Sequence, residues 1–120
     1  MKNVICWFDL PSLDFDRAVK FYSELLGAPI QVSEHMGQKL GMFPQAEVSG
    51  DIVPPSETSQ PSAMGIRVHF NCDGTLDETI ARVEPAGGKI LQQKFSLGEH
   101  GWCAMIADSE GNRVGLWSMS

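Results

Sequence analysis

The sequence predicts an α+β fold built from two tandem βαβββ modules. Three observations predict it. A strand–helix–three-strand pattern occurs twice within the 120 residues, each helical stretch closes on glycine, and a Pro/Ser-rich segment separates the copies. Two such half-sheets must bury one face each and leave a concave surface, and concavities hold small molecules.

The first module is expected over residues 3–55. It opens with an apolar strand at 4–10, whose alternation puts Cys6 on one face with Val4, Phe8 and Leu10 as small core filler. A helix follows over 14–26, with Asp14 as N-cap and Asp16 in the first turn, both favourable at the positive end of the helix dipole. Phe15, Val19, Tyr22 and Leu26 form an apolar stripe widened by Ala18, Phe21 and Leu25, while Arg17, Lys20 and Glu24 make a solvated face. Gly27 supplies the left-handed closing residue and Pro29 bars continuation. Strands are expected at 30–34, 39–43 and 47–53.

Residues 54–63, rich in Pro and Ser, form the exposed connector. The second module, 63–118, repeats the order: a strand at 64–72, a helix over 75–84, then strands at 90–95, 102–107 and 113–118. Thr75 and Glu78 have the spacing of a capping box, Leu76, Ile80 and Val83 share one side, and Pro85 with Gly87 and Gly88 ends the helix. Gly-containing turns at 35–37, 98–101 and 108–112 punctuate the strands.

Composition narrows the functional classes. The chain is expected to be a single domain, 1–120, with an ordinary apolar fraction of 42%. Its net charge of −6 and the absence of a Lys/Arg cluster disfavour a nucleic-acid partner. No apolar run reaches the length of a membrane span and no leader is evident, so neither a membrane partner nor export is expected. Cys6, Cys72 and Cys103 are scattered without a metal or disulfide spacing, which fits a reducing, cytoplasmic setting.

Three segments carry a resemblance. They are Asp14-Phe15-Asp16-Arg17-Ala18-Val19-Lys20-Phe21-Tyr22-Ser23-Glu24-Leu25-Leu26-Gly27, Ala86-Gly87-Gly88-Lys89-Ile90, and Asp108-Ser109-Glu110-Gly111-Asn112-Arg113-Val114-Gly115-Leu116-Trp117. In order and spacing the whole chain resembles a single-domain, bacterial-type member of the vicinal oxygen chelate superfamily. That group includes glyoxalase I, bleomycin- and fosfomycin-resistance proteins and ring-cleaving dioxygenases. The expected architecture is then a cupped, eight-stranded, incomplete barrel with both helices outside. A homodimer with two equivalent cavities is the expected assembly, since paired chains cover exposed sheet edges.

Metal-using members hold a divalent cation on four inward side chains, typically His and Glu. The resemblance places those positions at Ile5 or Trp7, at Gly50 or Asp51, at Arg67 and at Gly115. Only Asp51 among them offers a ligand for such an ion, and a guanidinium at Arg67 repels a cation. No metal and no cofactor are therefore expected.

Strand alternation suggests what stands in their place. Arg67, His69 and Asn71 share a face, as do Trp7 and Asp9, and Arg113, Gly115 and Trp117, whereas Val68, Phe70 and Cys72 back onto the helices. Trp7, Asp9, Arg67, His69, Asn71 and Trp117 are the expected contacts to a small anionic or aromatic ligand, with Arg67 as a bidentate clamp. Other readings stand beside this one. The indoles serve equally as core filler, Arg67 and Asp9 as a structural ion pair, and His69 and His100 as ordinary strand and turn histidines. If the chain is an enzyme, a lyase, isomerase or dioxygenase relative, His69 and His100 are its candidate acid–base groups. A third class is an interaction module with a filled cavity.

Overall fold

The structure is a computed structural model that describes residues 3–120. The fold is α+β, with two helices and two four-stranded mixed sheets repeated as tandem βαβββ modules. The chain divides into two compact units, Met1–Pro61 and Ser62–Ser120.

In the first unit, β1 (Trp7–Pro11) is followed by α1 (Phe15–Leu26), β2 (Gln31–His35), β3 (Gln38–Met42) and β4 (Ser49–Val53). The sheet order is β1-β4-β3-β2, with β1 parallel to β4 and the other pairs antiparallel. The Asp14 side chain accepts a hydrogen bond from the Arg17 amide at 3.1 Å, as an N-cap should, and Gly27 closes the helix at φ 65°. The buried stripe is centred on Phe15, Ala18, Phe21, Tyr22 and Leu25, so Val19 and Leu26 lie on its margin rather than its axis. Tyr22 anchors an aromatic cluster, with ring centroids 4.9 Å from Phe21 and 5.4 Å from Phe43, and Phe43 meets Phe8 at 5.5 Å. Between β2 and β3, Met36 and Gly37 both take positive φ, the two-residue turn whose twist suits a hairpin.

Two expectations for this unit are corrected. The first strand begins at Trp7, not at residue 4, and Val4 and Ile5 are exposed. Cys6 therefore lies ahead of the strand and is exposed, not core filler, because no neighbouring strand pairs with it to fix its face.

The second unit runs β5 (His69–Asn71), α2 (Leu76–Ala86), β6 (Lys89–Ser96), a 3₁₀ turn at Gly98–His100, β7 (Trp102–Ala107) and β8 (Arg113–Ser118). Its sheet order, β5-β8-β7-β6, mirrors the first, with β5 parallel to β8. Its core gathers Leu76, Val83, Ile106, Val114 and Leu116. Here the strand expected at 64–72 contracts to three residues, and Met64, Ile66 and Arg67 are exposed. The Thr75 hydroxyl does not cap α2 but donates to the Cys72 carbonyl at 3.3 Å, closing the turn that launches the helix. Pro85 does not end α2, which continues to Ala86 before left-handed Gly87. In the last turn the proline forfeits one helical hydrogen bond and nothing beyond it needs to be held.

Among the described residues, no helix is long and apolar enough to cross a membrane.

Candidate functional sheet faces

In the first unit, the parallel register pairs Trp7 with Ser49 and Asp9 with Asp51. Paired residues share a face, so Trp7, Asp9 and Asp51 lie opposite the face on which Leu10 and Ile52 are buried. Gly50 is required for this packing, since a Cβ there would collide with the Phe8 ring and sit 2.5 Å from its carbonyl oxygen. Asp51 is 4% exposed, and one carboxyl oxygen, Oδ1, has no hydrogen-bond partner.

Burial first, then a hydrogen bond and charge repulsion from Asp9, push the Asp51 carboxyl up from 3.8 to about 7, against the opposing hydrogen bond from the Trp7 side chain. Asp51 therefore takes up its proton near neutral pH. Sequence reasoning weighed Asp51 only as a metal ligand. The missed signal was parity, because β1 and β4 lie side by side and bring Asp9 level with Asp51.

In the second unit, His69 lies level with Gly115 and Met105, while Asn71 lies level with Trp117 and Cys103. His69 and Asn71 are exposed, whereas Phe70 and Cys72 are buried, as the alternation predicts. The His69 ring lies over the Cα of Gly115, where any Cβ would overlap it. The imidazole thus fills space that a side chain at the last-strand position would need. Its Nδ1 is 3.8 Å from the Cys103 Sγ. Partial desolvation, then the Arg67 charge, hold the His69 pKa below its ordinary 6.5, so the ring is neutral at pH 7. Burial raises the Cys103 thiol, which is protonated and a poor nucleophile.

Trp117 is half-buried, and its indole N–H donates to the His100 carbonyl at 2.8 Å. The 98–100 turn is thereby tied to β8 through its backbone. The His100 side chain itself is 79% exposed and 3.7 Å from Glu99. That is a solvated turn histidine, poorly held for acid–base work. Arg67 precedes β5, although the bond from Gly115 N to Val68 O, 2.9 Å, continues the ladder toward it. Arg113 is half-buried, and its Nε is buried without a hydrogen-bond partner.

Among the described residues, no group of three or more His, Cys, Asp or Glu side chains converges to hold a metal ion. Of the positions the resemblance gives for metal ligands, Ile5 or Trp7 and Gly50 or Asp51 in the first unit offer at most the one carboxyl of Asp51, and Arg67 and Gly115 in the second offer no ligand for a divalent cation.

Comparison with known proteins fits this architecture. The family model for the Glyoxalase/Bleomycin resistance protein/Dioxygenase superfamily matches residues 5–116. The chain belongs to that superfamily. Within it, the chain is 30% identical over 115 residues to the Mycobacterium bovis protein CFP32, spanning 92% of this chain but only 44% of that relative. It is 31% identical over 113 residues to a glyoxylase-like domain-containing protein of Didymella fabae, covering 90% of this chain and 88% of the relative. Among superfamily structures, a glyoxalase/bleomycin resistance protein from Albidiferax ferrireducens superposes with a TM-score of 0.76 at 18% identity, over 97% of this chain and 98% of that one. This last likeness concerns the fold alone. Across the superfamily, fold does not fix chemistry, which has to be argued from the residues present.

Proposed function

We propose that this superfamily member binds a small anionic or aromatic molecule without a resident divalent metal. Arg67 and Arg113 hold its negative group on the second unit's sheet, and His69, Asn71 and Trp117 contact its body. Trp7 and Asp9 are proposed contacts on the first unit's own sheet face. The observation that carries this reading is the buried, unpartnered Nε of Arg113. Extending the β5–β8 register brings Arg67 level with Arg113. A carboxylate or phosphate reached by both side chains would satisfy the buried Arg113 Nε.

A thermal-shift screen with aromatic acids, their neutral amides and divalent cations tests the reading. Acids should raise the melting temperature, and amides and cations should not. Stabilisation by a divalent cation alone would overturn it. Arg67→Ala should weaken binding of a stabilising acid by roughly 10- to 150-fold, the equivalent of about 1.5–3 kcal/mol for a hydrogen bond to a charged group. Because Arg67 is exposed, the melting temperature of the free protein should barely move. Arg67→Lys should recover part of the affinity, since an ammonium cannot form the planar two-bond clamp.

One observation favours a second reading, a proton-transfer enzyme. Asp51 titrates near neutrality beside Asp9, as a general acid–base group must. Turnover of an aromatic or 2-oxo acid that is lost in Asp51→Asn would establish it.

The assembly we propose is a homodimer. Val32 on edge strand β2 and Leu91 on edge strand β6 are about half exposed, and a two-fold partner would cover such edges. Light scattering at micromolar concentration should give twice the chain mass of 13.1 kDa, and a monomer mass would exclude it.

A further inference from the structure

The second sheet carries three soft donor atoms in one cluster. Cys103 and Met105 are two residues apart on β7, so both side chains leave the same face. Their sulfur atoms are 4.0 Å apart. His69 reaches the cluster from β5, with Nδ1 3.8 Å from the Cys103 Sγ. Gly115, which separates His69 from Met105 in the register, contributes no side chain to the gap between them. Both sulfur residues are buried, at 2% and 4% exposure, while His69 stays open to solvent.

From this geometry we infer that His69, Cys103 and Met105 form a three-coordinate site for a soft monovalent cation of the Cu(I) class. The distances support it. An ion about 2.0–2.1 Å from an imidazole nitrogen and about 2.3 Å from a sulfur spans the 3.8 Å gap with an N–ion–S angle of about 120°. With two sulfur bonds of about 2.3 Å, the 4.0 Å gap likewise corresponds to about 120°. Both angles, to the Cys103 sulfur's two partners, are trigonal. The donor set is one imidazole, one thiol and one thioether, and sulfur ligands of this kind select Cu(I) over hard divalent ions. Binding replaces the Cys103 thiol proton by the cation, so the site's charge is unchanged and one proton is released.

The site shares His69 with the proposed ligand contacts, but none of its sulfur donors belongs to them and neither Arg67 nor Arg113 is a donor, so the sulfur variants test it separately. The test uses the full chain carrying Cys6→Ser, because Cys6 is an exposed thiol that would itself take up copper. Cu(I) is presented anaerobically as its bicinchoninate complex, and loss of that complex's colour reports transfer. One equivalent per chain should be withdrawn, with a new thiolate-to-metal absorption in the ultraviolet. Cys103→Ser should abolish both signals, and Met105→Leu and His69→Ala should each weaken binding at least tenfold. Those last two keep the test decisive if Cys103→Ser unfolds, since one conserves volume and the other alters an exposed side chain. No withdrawal of Cu(I), binding that survives Cys103→Ser, unchanged affinity in Met105→Leu and His69→Ala, or equal affinity for Zn(II) would each overturn the inference.

Discussion

Asp51→Asn should stabilise the protein at pH 8 and leave its stability unchanged below pH 4. The buried carboxyl titrates at about 7 in the folded chain, against 3.8 for an unperturbed aspartate. Between those values the unfolded chain releases the proton that the folded chain retains. Stability is therefore greatest below pH 4, falls as pH rises through that window, and levels off above it. A shift of about 3 units corresponds to at most about 4 kcal/mol, and relaxation around Asp51 would reduce it. Asparagine is neutral at every pH and nearly the same shape. Its amide can donate to Asp9 while its oxygen accepts from the Trp7 indole, so the hydrogen bonds survive without the ionisation cost. Urea unfolding of both proteins at pH 4 and pH 8 measures the difference. A mutant that is weaker at pH 8 would mean that the ionised carboxylate is the favoured form. In Asp9→Asn the nearby negative charge is gone, and the Asp51 titration followed by carboxyl NMR should move downward.

The fold was legible because each module repeats a strong local grammar. Asp14 and Gly27 bracket α1 as capping chemistry dictates, and β7 and β8 appear with the bounds that alternation and turns indicate. The first strand and the strand at 64–72 were overextended for one reason. An apolar run such as Val4-Ile5-Cys6 or Met64-Gly65-Ile66 reads as strand, but strand requires a partner, and β1 pairs only from Trp7 and β5 only from His69. Thr75 and Pro85 show a second limit. Sequence spacing indicates that a cap or a stop is available, whereas the local turn decides whether it is used.

The candidate residues were partly legible. Alternation alone placed His69 and Asn71 on the face opposite Phe70 and Cys72. What it could not provide is cross-strand register, and the chemistry lies there. Asp9 beside Asp51, the His69 ring over Gly115, and His69 against Cys103 all join residues more than thirty positions apart. For His100 the sequence left a turn histidine and an acid–base group both open, and its backbone carbonyl, not its imidazole, is what engages Trp117.

Asp108→Ala should be the most destabilising single substitution outside the apolar core. Asp108 is 5% exposed and governs the turn between β7 and β8. Its Oδ1 accepts the amides of Glu110 and Asn112, each at 2.9 Å, and its Oδ2 accepts the Asn112 side-chain amide at 3.0 Å. The backbone closes the same loop, with Asp108 N bonded to Asn112 O at 2.9 Å. Asn112 in turn accepts the Ser62 amide at 3.2 Å through its own Oδ1, so the turn also fixes the start of the second unit. Alanine would remove the acceptor of three hydrogen bonds, two from backbone amides and one from a side-chain amide, all buried. At about 1–3 kcal/mol for each buried group stranded, partly relieved by water, the expected loss is about 3–5 kcal/mol. Asp108→Asn should cost less, because one oxygen can still accept both backbone amides, but its new NH₂ would face the Asn112 amide donor to donor. Urea unfolding with an unchanged denaturant slope would report these losses directly. A cost below about 1 kcal/mol for Asp108→Ala would show that water replaces the carboxylate and that the β7–β8 pairing, with the Cys103–Trp117 and Met105–Gly115 register it sets, is held by the strands alone.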